Sequence, residues 1–224
     1  WSAMVITPGG RDEGEDSAPI GRPRILLASR SPRRRELLRE HGFEFELASC
    51  SVDDGALRPG NAADARAWVM SLAFLKASAA VGDPLAASGR IVVLGADTVC
   101  VKDGQIIGQP EDEAHARQIV RMLSDGEHEV LTGVALICPG TLRREIYVEQ
   151  SVVRVGVIEE AWIDEYLATG QWRGKAGAYN LAERQRAGWP IECLGDPTSV
   201  MGLPMATLDE RVRAFCERLG DAAA

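Results

Sequence analysis

Apolar positions in the first half of the chain predict a mixed series of strands and helices from residue 25 onward. The run Ile25–Ala28 predicts a buried strand. A helix follows from Pro32 to His41 and stops at Gly42, since glycine readily adopts the conformation that closes a helix. Three further elements are expected: a helix over about 62–81, a strand over 91–101 and a hairpin return over 105–107.

The second half of the chain also contains both helical and strand patterns of apolar residues. Ala116, Ile119, Val120 and Leu123 recur at helical spacing, which predicts a helix over 111–124. Further elements are two long strands over 129–138 and 143–158, a helix ending at Gly170, a strand near Ile191 and a last helix from Pro204. Because strands and helices do not strictly alternate, the pattern predicts a mixed α/β (α+β) fold. Residues 1–23 lack periodicity, so we expect a disordered tail ahead of one domain over 24–224.

Composition narrows the class of protein. The net charge is −8, and only three of the 25 basic residues are lysines (Lys76, Lys102 and Lys175). An acidic chain argues against broad attraction to nucleic acid or to an anionic membrane, so phosphate contacts should come from a local cluster. No run approaches the roughly 18 to 20 apolar residues of a membrane span, and no secretory signal is visible. We therefore expect a cytoplasmic protein.

The start of the first helix breaks a local rule. Ser31 is a good N-cap and Pro32 suits the first helical position. Arg33 and Arg34 then occupy the first turn, where the helix dipole favours acidic residues. An anion held there by backbone N–H groups, the hydroxyls of Ser29 or Ser31 and the arginine forks would explain the pattern. A solvated basic patch paired with nearby acids is the alternative, and a DNA-reading helix fits poorly with the net charge.

Asp97 lies in the middle of an apolar strand, where an unpaired carboxylate is costly. It is either bonded to nearby backbone or an arginine, or it serves a site. Asp53 and Asp54 offer further carboxylates, and one of them near Asp97 would complete a site for Mg²⁺ or Mn²⁺.

Two lysines lie in segments that suit phosphate binding. Lys175 lies between Gly174 and Gly177 in a loop whose backbone can approach a ligand closely, although the loop lacks the spacing of a Walker A motif. Lys76 lies on a largely apolar helix, where it either binds phosphate or extends to solvent. The histidines and cysteines show no metal-ligand spacing, and no G-x-S-x-G motif occurs, so zinc and serine hydrolases are disfavoured.

In order along the chain, these segments resemble the Maf family of nucleoside triphosphate pyrophosphatases over nearly all of residues 24–219. Six segments carry the resemblance: 27–38 (LASRSPRRRELL), 72–77 (LAFLKA), 95–99 (GADTV), 132–135 (TGVA), 175–179 (KAGAY) and 200–204 (VMGLP). The resemblance implies an elongated, two-lobed mixed sheet of the Maf/ITPase-like type, flanked by helices around a central cleft, often in a homodimer. It also implies that water and a divalent metal such as Mg²⁺ or Mn²⁺ split a nucleoside triphosphate into the monophosphate and pyrophosphate.

The resemblance also implies roles for individual residues. The phosphate-binding positions of the family fall on Ser29, Ser31, Arg33, Arg34, Lys76 and Lys175. Its acidic pair falls on Asp97 and Asp54, which would hold the metal. The chemistry of the residues favours Asp97 as the carboxylate that takes a proton from water. The tripeptide Ala96-Asp97-Thr98 suggests dTTP or UTP as substrate.

Two positions depart from the family pattern. Gln109 stands where the family usually has lysine, and Ala182 where it usually has Gln or Glu. Glu183 or Arg184 is a candidate to compensate. These departures motivate an alternative, a nucleotide-binding regulator with little or no turnover. A second alternative is a protein-interaction module that uses the arginine-rich helix.

Overall fold

The computed structural model of the protein describes residues 23–49, 52, 57, 64–87, 91–141 and 143–220. The expected tail therefore lies outside the described residues, apart from Pro23, which is buried. Asp53 and Asp54 lie outside them as well.

Within these ranges the fold is a mixed α/β structure with seven strands in one sheet. The strands are β1 (Arg24–Leu27), β2 (Phe45–Leu47), β3 (Ile91–Lys102), β4 (Gln105–Ile107), β5 (Gly126–Ile137), β6 (Arg144–Val155) and β7 (Ile191–Leu194). The helices are α1 (Pro32–Glu40), α2 (Ala65–Ala80), α3 (Glu113–Leu123), α4 (Glu160–Ala168), α5 (Leu181–Arg186), α6 (Pro197–Val200) and α7 (Met205–Gly220).

The long strand β3 organises the sheet, whose strand order is β2-β1-β3-β5-β6-β7. On one side β3 pairs with β5 over most of its length. On the other side it pairs in parallel with β1 as far as Leu94, and then antiparallel with β4 from Cys100 onward. Residues 95–99 of β3 thus face a gap between two neighbouring strands. The gap opens beyond the carboxyl end of β1, which is where open α/β sheets commonly bind ligands.

Helix α2 lies directly on the sheet at two glycines. A Cβ atom at Gly95 would lie 2.3 Å from the Ala73 carbonyl oxygen, and one at Gly133 would lie 2.5 Å from that of Val69. Neither position tolerates a side chain unless the helix moves. This close approach brings the α2 residue Lys76 over the gap in β3.

Two hydrophobic clusters fill the ends of the molecule. One packs α1 and α7 against β1 and the first half of β3, through residues such as Leu38, Leu94 and Leu208. The other packs α3, α4 and α5 against the opposite half, through residues such as Val120, Tyr166 and Leu181. The gap in β3 lies between the β1 end and the β4 end of the sheet, which agrees with the two-lobed arrangement that the resemblance implied.

The sequence predicted the fold class and most long elements correctly. The Asp103-Gly104 turn has positive φ at both residues, as a tight hairpin turn requires. The apolar pattern did not predict β2, α5 or α6, because each spans only three to six residues and presents less than two helical turns or a short alternation. No helix among the described residues is long and apolar enough to cross a membrane.

Candidate active site

A cleft of about 670 Å³ opens at the gap in β3. Its lining includes each of the predicted site residues that the structure describes, namely Ser29, Ser31, Arg33, Arg34, Lys76, Asp97 and Lys175. Gln109, the departure from the family lysine, also lines it. Asp54, the other predicted metal ligand, lies outside the described residues. Residues from five separate segments of the sequence therefore meet in one place.

The N-terminus of α1 forms one wall of the cleft. Ser31 is the N-cap, its hydroxyl accepts a hydrogen bond from the Arg34 backbone N–H at 3.5 Å, and no acidic residue occupies the first turn. The hydroxyl oxygen of Ser29 accepts from the Ser31 backbone N–H at 3.3 Å and from Arg34 Nη1 at 3.0 Å. Both serines thus help to arrange a helix start that faces the cavity with positive potential.

Arg34 is buried, with 8% of its surface exposed, and three neutral oxygens accept hydrogen bonds from its guanidinium. Its Nε donates to the Gly202 carbonyl oxygen at 2.9 Å, and its Nη2 donates to Thr98 Oγ1 at 3.2 Å. Together with the bond to Ser29, these contacts fix the plane of the fork. An oriented fork suits the bidentate binding of a phosphate.

Asp97 projects into the cleft from the middle of β3 and is 9% exposed. Lys76 Nζ donates to its Oδ1 at 2.6 Å. The cost of burying this carboxylate is therefore met by a lysine of α2, rather than by the arginine or backbone groups that the sequence suggested as structural partners. The pair places a carboxylate and an ammonium group on the floor of the cleft.

Lys175 and its glycine-rich loop form the opposite wall. Lys175 Nζ lies 2.5 Å from Glu183 Oε2, and Arg33 Nη2 lies 3.7 Å from Glu183 Oε1, so one carboxylate joins cations from both walls. Arg33 also pairs with Glu36 at 2.9 Å. The side chain of Arg184 turns the other way, because its guanidinium lies 4.1 Å from the centre of the Tyr166 ring in the core. Of the two candidates to compensate for Ala182, only Glu183 reaches the cleft.

Buried tyrosines support this loop from behind. Gly177 and Ala178 both have positive φ, and the Tyr166 hydroxyl donates to the Ala178 carbonyl oxygen at 2.7 Å. Tyr179 Oη lies 2.7 Å from His128 Nε2. Burial, helped by the charge of Lys102, lowers the pKa of His128 to about 4, so the ring is neutral near pH 7.

The cleft holds other groups whose chemistry bears on the site. Burial raises the pKa of Cys100 to about 12, so its thiol stays protonated and is a poor nucleophile. The described residues contain no group of three or more His, Cys, Asp or Glu side chains arranged to hold a metal. Asp97 is the buried carboxylate in the described part of the cleft, and its oxygens are the kind of donor that Mg²⁺ or Mn²⁺ prefers.

Three further residues bear on the cleft. The sequence assigned no role to Thr132, used Thr98 only as part of the Ala96-Asp97-Thr98 tripeptide, and named Glu183 only as a candidate to compensate for Ala182. Thr98 and Thr132 fall inside two of the family-like segments, and this was the one sign in the sequence that they belong near the site. Thr98 lines the cleft, whereas Thr132 lies fully buried beneath it. Glu183 lies four residues beyond the KAGAY segment, and only its placement on α5 brings it to Lys175.

Comparison with known proteins agrees with this geometry. The chain matches the family described as Maf-like protein over residues 24–215. It is 40% identical over 190 residues to a dTTP/UTP pyrophosphatase of Salinibacter ruber, a match that covers 85% of this chain and 90% of the relative. Proteins of the same name from Pelotomaculum thermopropionicum and Symbiobacterium thermophilum are 37% and 40% identical, over 85% and 81% of this chain and 96% and 88% of their own lengths. The matched residues include both walls of the cleft, and the chain belongs to the Maf-like family.

Proposed function

We propose that the protein is a nucleoside triphosphate pyrophosphatase that acts on the pyrimidine nucleotides dTTP and UTP. Water breaks the anhydride bond between the α- and β-phosphates, and the products are the nucleoside monophosphate and pyrophosphate. The observation that carries the proposal is the cleft itself, where six cationic side chains line the cavity together with the buried carboxylate of Asp97. The pyrimidine preference rests on the names of the relatives.

The cations suit a highly charged substrate. Arg34 and the helix start, with the hydroxyls of Ser29 and Ser31, bind phosphate oxygens on one wall. Arg33, Lys76 and Lys175 neutralise charge along the rest of the triphosphate and on the departing pyrophosphate. Positioning and electrostatic stabilisation of this kind supply most of the catalysis in reactions of phosphates.

Asp97 is the residue we assign to proton transfer. Its Oδ1 is bonded to Lys76, so the carboxylate is held in one orientation, and Oδ2 takes the proton of the attacking water. Asp97 and Asp54 are also the proposed ligands of a divalent cation, and the hard oxygen donor of Asp97 fits Mg²⁺ or Mn²⁺. When bound, such a cation neutralises phosphate oxygens and lowers the pKa of water.

The test is a panel of nucleoside triphosphates with Mg²⁺ or Mn²⁺ and a measurement of pyrophosphate release. We expect release from dTTP and UTP, and Asp97→Asn should lower kcat by about 100-fold or more, as expected for the loss of a general base. Asp164→Asn is a matched control, because Asp164 is ion-paired with Arg117 outside the cleft. No release from any nucleotide, or full turnover by Asp97→Asn, would contradict the proposal.

The regulator alternative rests on Gln109 and Ala182. Gln109 does leave one lining position of the cleft without a positive charge. Six cationic side chains still line the cleft, and the relatives are named as pyrophosphatases, so turnover is the better-supported function. Binding without turnover in the nucleotide panel would favour the regulator instead.

The organisation of the chain in the cell follows from the same expectations. We propose one domain over 24–224 behind the tail 1–23, a homodimer without a nucleic acid or membrane partner, and a cytoplasmic location, where nucleoside triphosphates are made and consumed. Gel filtration of the full chain tests the dimer.

A further inference from the structure

We propose that Thr98 and Thr132 are positioning residues for Arg34, which they hold through a closed ring of hydrogen bonds. The inference rests on the proposed function, because it takes Arg34 to bind the phosphates of the substrate. The ring runs from Arg34 through the two threonines to the carbonyl oxygen of Ser199, and it returns to Arg34 through Gly202.

The direction of each bond follows from counting hydrogens. Thr132 Oγ1 lies 2.8 Å from the Ser199 carbonyl oxygen, which can only accept, so the one hydroxyl hydrogen of Thr132 is used there. The 2.9 Å contact between Thr98 Oγ1 and Thr132 Oγ1 must then have Thr98 as donor. Thr98 Oγ1 in turn accepts from Arg34 Nη2 at 3.2 Å. The chain of donors therefore starts at the guanidinium and admits one orientation of both hydroxyls.

The other half of the ring closes through the turn after α6. Arg34 Nε donates to the Gly202 carbonyl oxygen at 2.9 Å, and the Gly202 backbone N–H donates to the Ser199 carbonyl oxygen, also at 2.9 Å. The two ends of the chain thus meet in one short segment. Gly202 has a φ of +115°, and a Cβ there would lie 3.2 Å from Arg34 Nε, so glycine suits this close approach.

The residues of the ring are buried, so its hydrogen bonds hold a defined geometry. Thr132 and Ser199 are fully buried, and Arg34 is nearly so. Thr98 and Thr132 are direct cross-strand neighbours on β3 and β5, so the rigid centre of the sheet supports the ring. Met201 and Gly202 line the cleft. The ring therefore ties the fork of Arg34 to the sheet and to a cleft wall.

The primary test compares Thr132→Val with Thr132→Ser, since valine matches the shape of threonine without the hydroxyl and serine keeps the hydroxyl. We expect Thr132→Val to raise KM for UTP by about five- to tenfold with a smaller change in kcat, as the loss of a buried hydrogen-bond donor suggests. Thr132→Ser should stay within about twofold of the wild type, because the ring survives. Equal KM values for the two variants would overturn the proposal.

A double-mutant cycle asks whether the effect passes through Arg34. Arg34→Lys keeps a positive charge but lacks the fork that the ring orients. Adding Thr98→Val to Arg34→Lys should change KM by less than about twofold, although Thr98→Val alone raises it several-fold, because residues of one network are not additive. Independent, multiplying effects would overturn the proposal.

Urea unfolding of the same variants separates the ring from the proposed function. If both residues belong to one hydrogen-bonded ring, Thr132→Val and Arg34→Lys should shift the unfolding midpoint non-additively, since each breaks the same network. If the wild type neither binds nor hydrolyses nucleotides, the proposed function fails and with it the role of the ring in binding phosphate. Additive midpoint shifts would overturn the ring itself, whatever the activity.

Discussion

The two walls of the cleft hold their cations in different ways. On the α1 wall, formed by residues 29–34, Arg34 is buried and bonded to a hydroxyl on each side and to a backbone carbonyl. On the α5 wall, formed by the Lys175 loop and α5, the carboxylate of Glu183 pairs with Lys175 and reaches across to Arg33. The side chains of Lys175, Glu183 and Arg33 are 23% to 28% exposed, so solvent screens the interactions among them.

The difference matters when a triphosphate arrives. The hydroxyl and carbonyl acceptors around Arg34 add no negative charge of their own, and they hold its guanidinium in one plane before phosphate arrives. A carboxylate partner competes with phosphate for the same cations, so part of the affinity of the α5 wall is used to displace Glu183. Preorganised groups contribute more to binding than groups that must first be released.

The largest expected effect comes from Arg34→Ala. Losing a buried fork and its charge-assisted bonds should raise KM for UTP by about 100-fold, or about 2.7 kcal/mol. Arg33→Ala is the matched variant on the neighbouring residue. It should raise KM for UTP by only about tenfold, because the charge of Arg33 is already partly neutralised by Glu36 and Glu183. Steady-state kinetics of both variants checks the comparison. A larger loss in Arg33→Ala than in Arg34→Ala would reverse it.

The next effect concerns pH, because the α5 wall rests on Tyr179 and His128. Burial lowers the pKa of His128 from the ordinary value of 6.5 to about 4. Between these two pH values the unfolded chain binds a proton at His128 that the folded protein does not bind. The stability that this histidine contributes is present above pH 6.5 and is lost as the pH falls toward 4. Between pH 7 and pH 5 the free energy of unfolding should fall by up to about 2 kcal/mol from this group alone.

Urea unfolding at pH 7 and pH 5 checks the histidine. The variant His128→Gln should lose less stability over this interval than the wild type does. Tyr179→Phe is the control, because it removes the hydroxyl partner but keeps the titrating ring and most of the slope. Equal slopes for the wild type and His128→Gln would show that other groups cause the acid sensitivity.

The smallest effect tests the competing carboxylate directly. Glu183→Gln should tighten pyrophosphate binding by about fivefold at low salt, consistent with up to about 1 kcal/mol for a partly exposed ion pair. The gain should shrink at high salt, where such pairs are screened. Calorimetry with pyrophosphate measures it, and Glu36→Gln is the control, since Glu36 pairs with Arg33 but is 54% exposed. Weaker binding by Glu183→Gln would show that the carboxylate assists the ligand.

Helix α1 shows best what could be predicted from the sequence. Ser31, Pro32 and the arginines that follow are neighbours in the chain, so their unusual order was enough to predict the helix start, which the structure confirms. The anion expected to face this helix start stays a prediction. The Asp103-Gly104 turn was predictable for the same reason. By contrast, β2 and α5 are too short to show a period, and they form because partners distant in the sequence stabilise them.

The sequence alone determined the mixed fold class, the long elements and the residue types that gather in the cleft, because these depend on local order and on family-like segments. Only the tertiary structure decided the partners. Lys76 meets Asp97 across 21 positions, Arg34 meets Thr98 across 64 and Gly202 across 168. It also decided that Glu183, and not Arg184, faces Lys175, since neighbours on a short helix point in different directions. Such contacts depend on how sheet and helices pack, which no short stretch of sequence records.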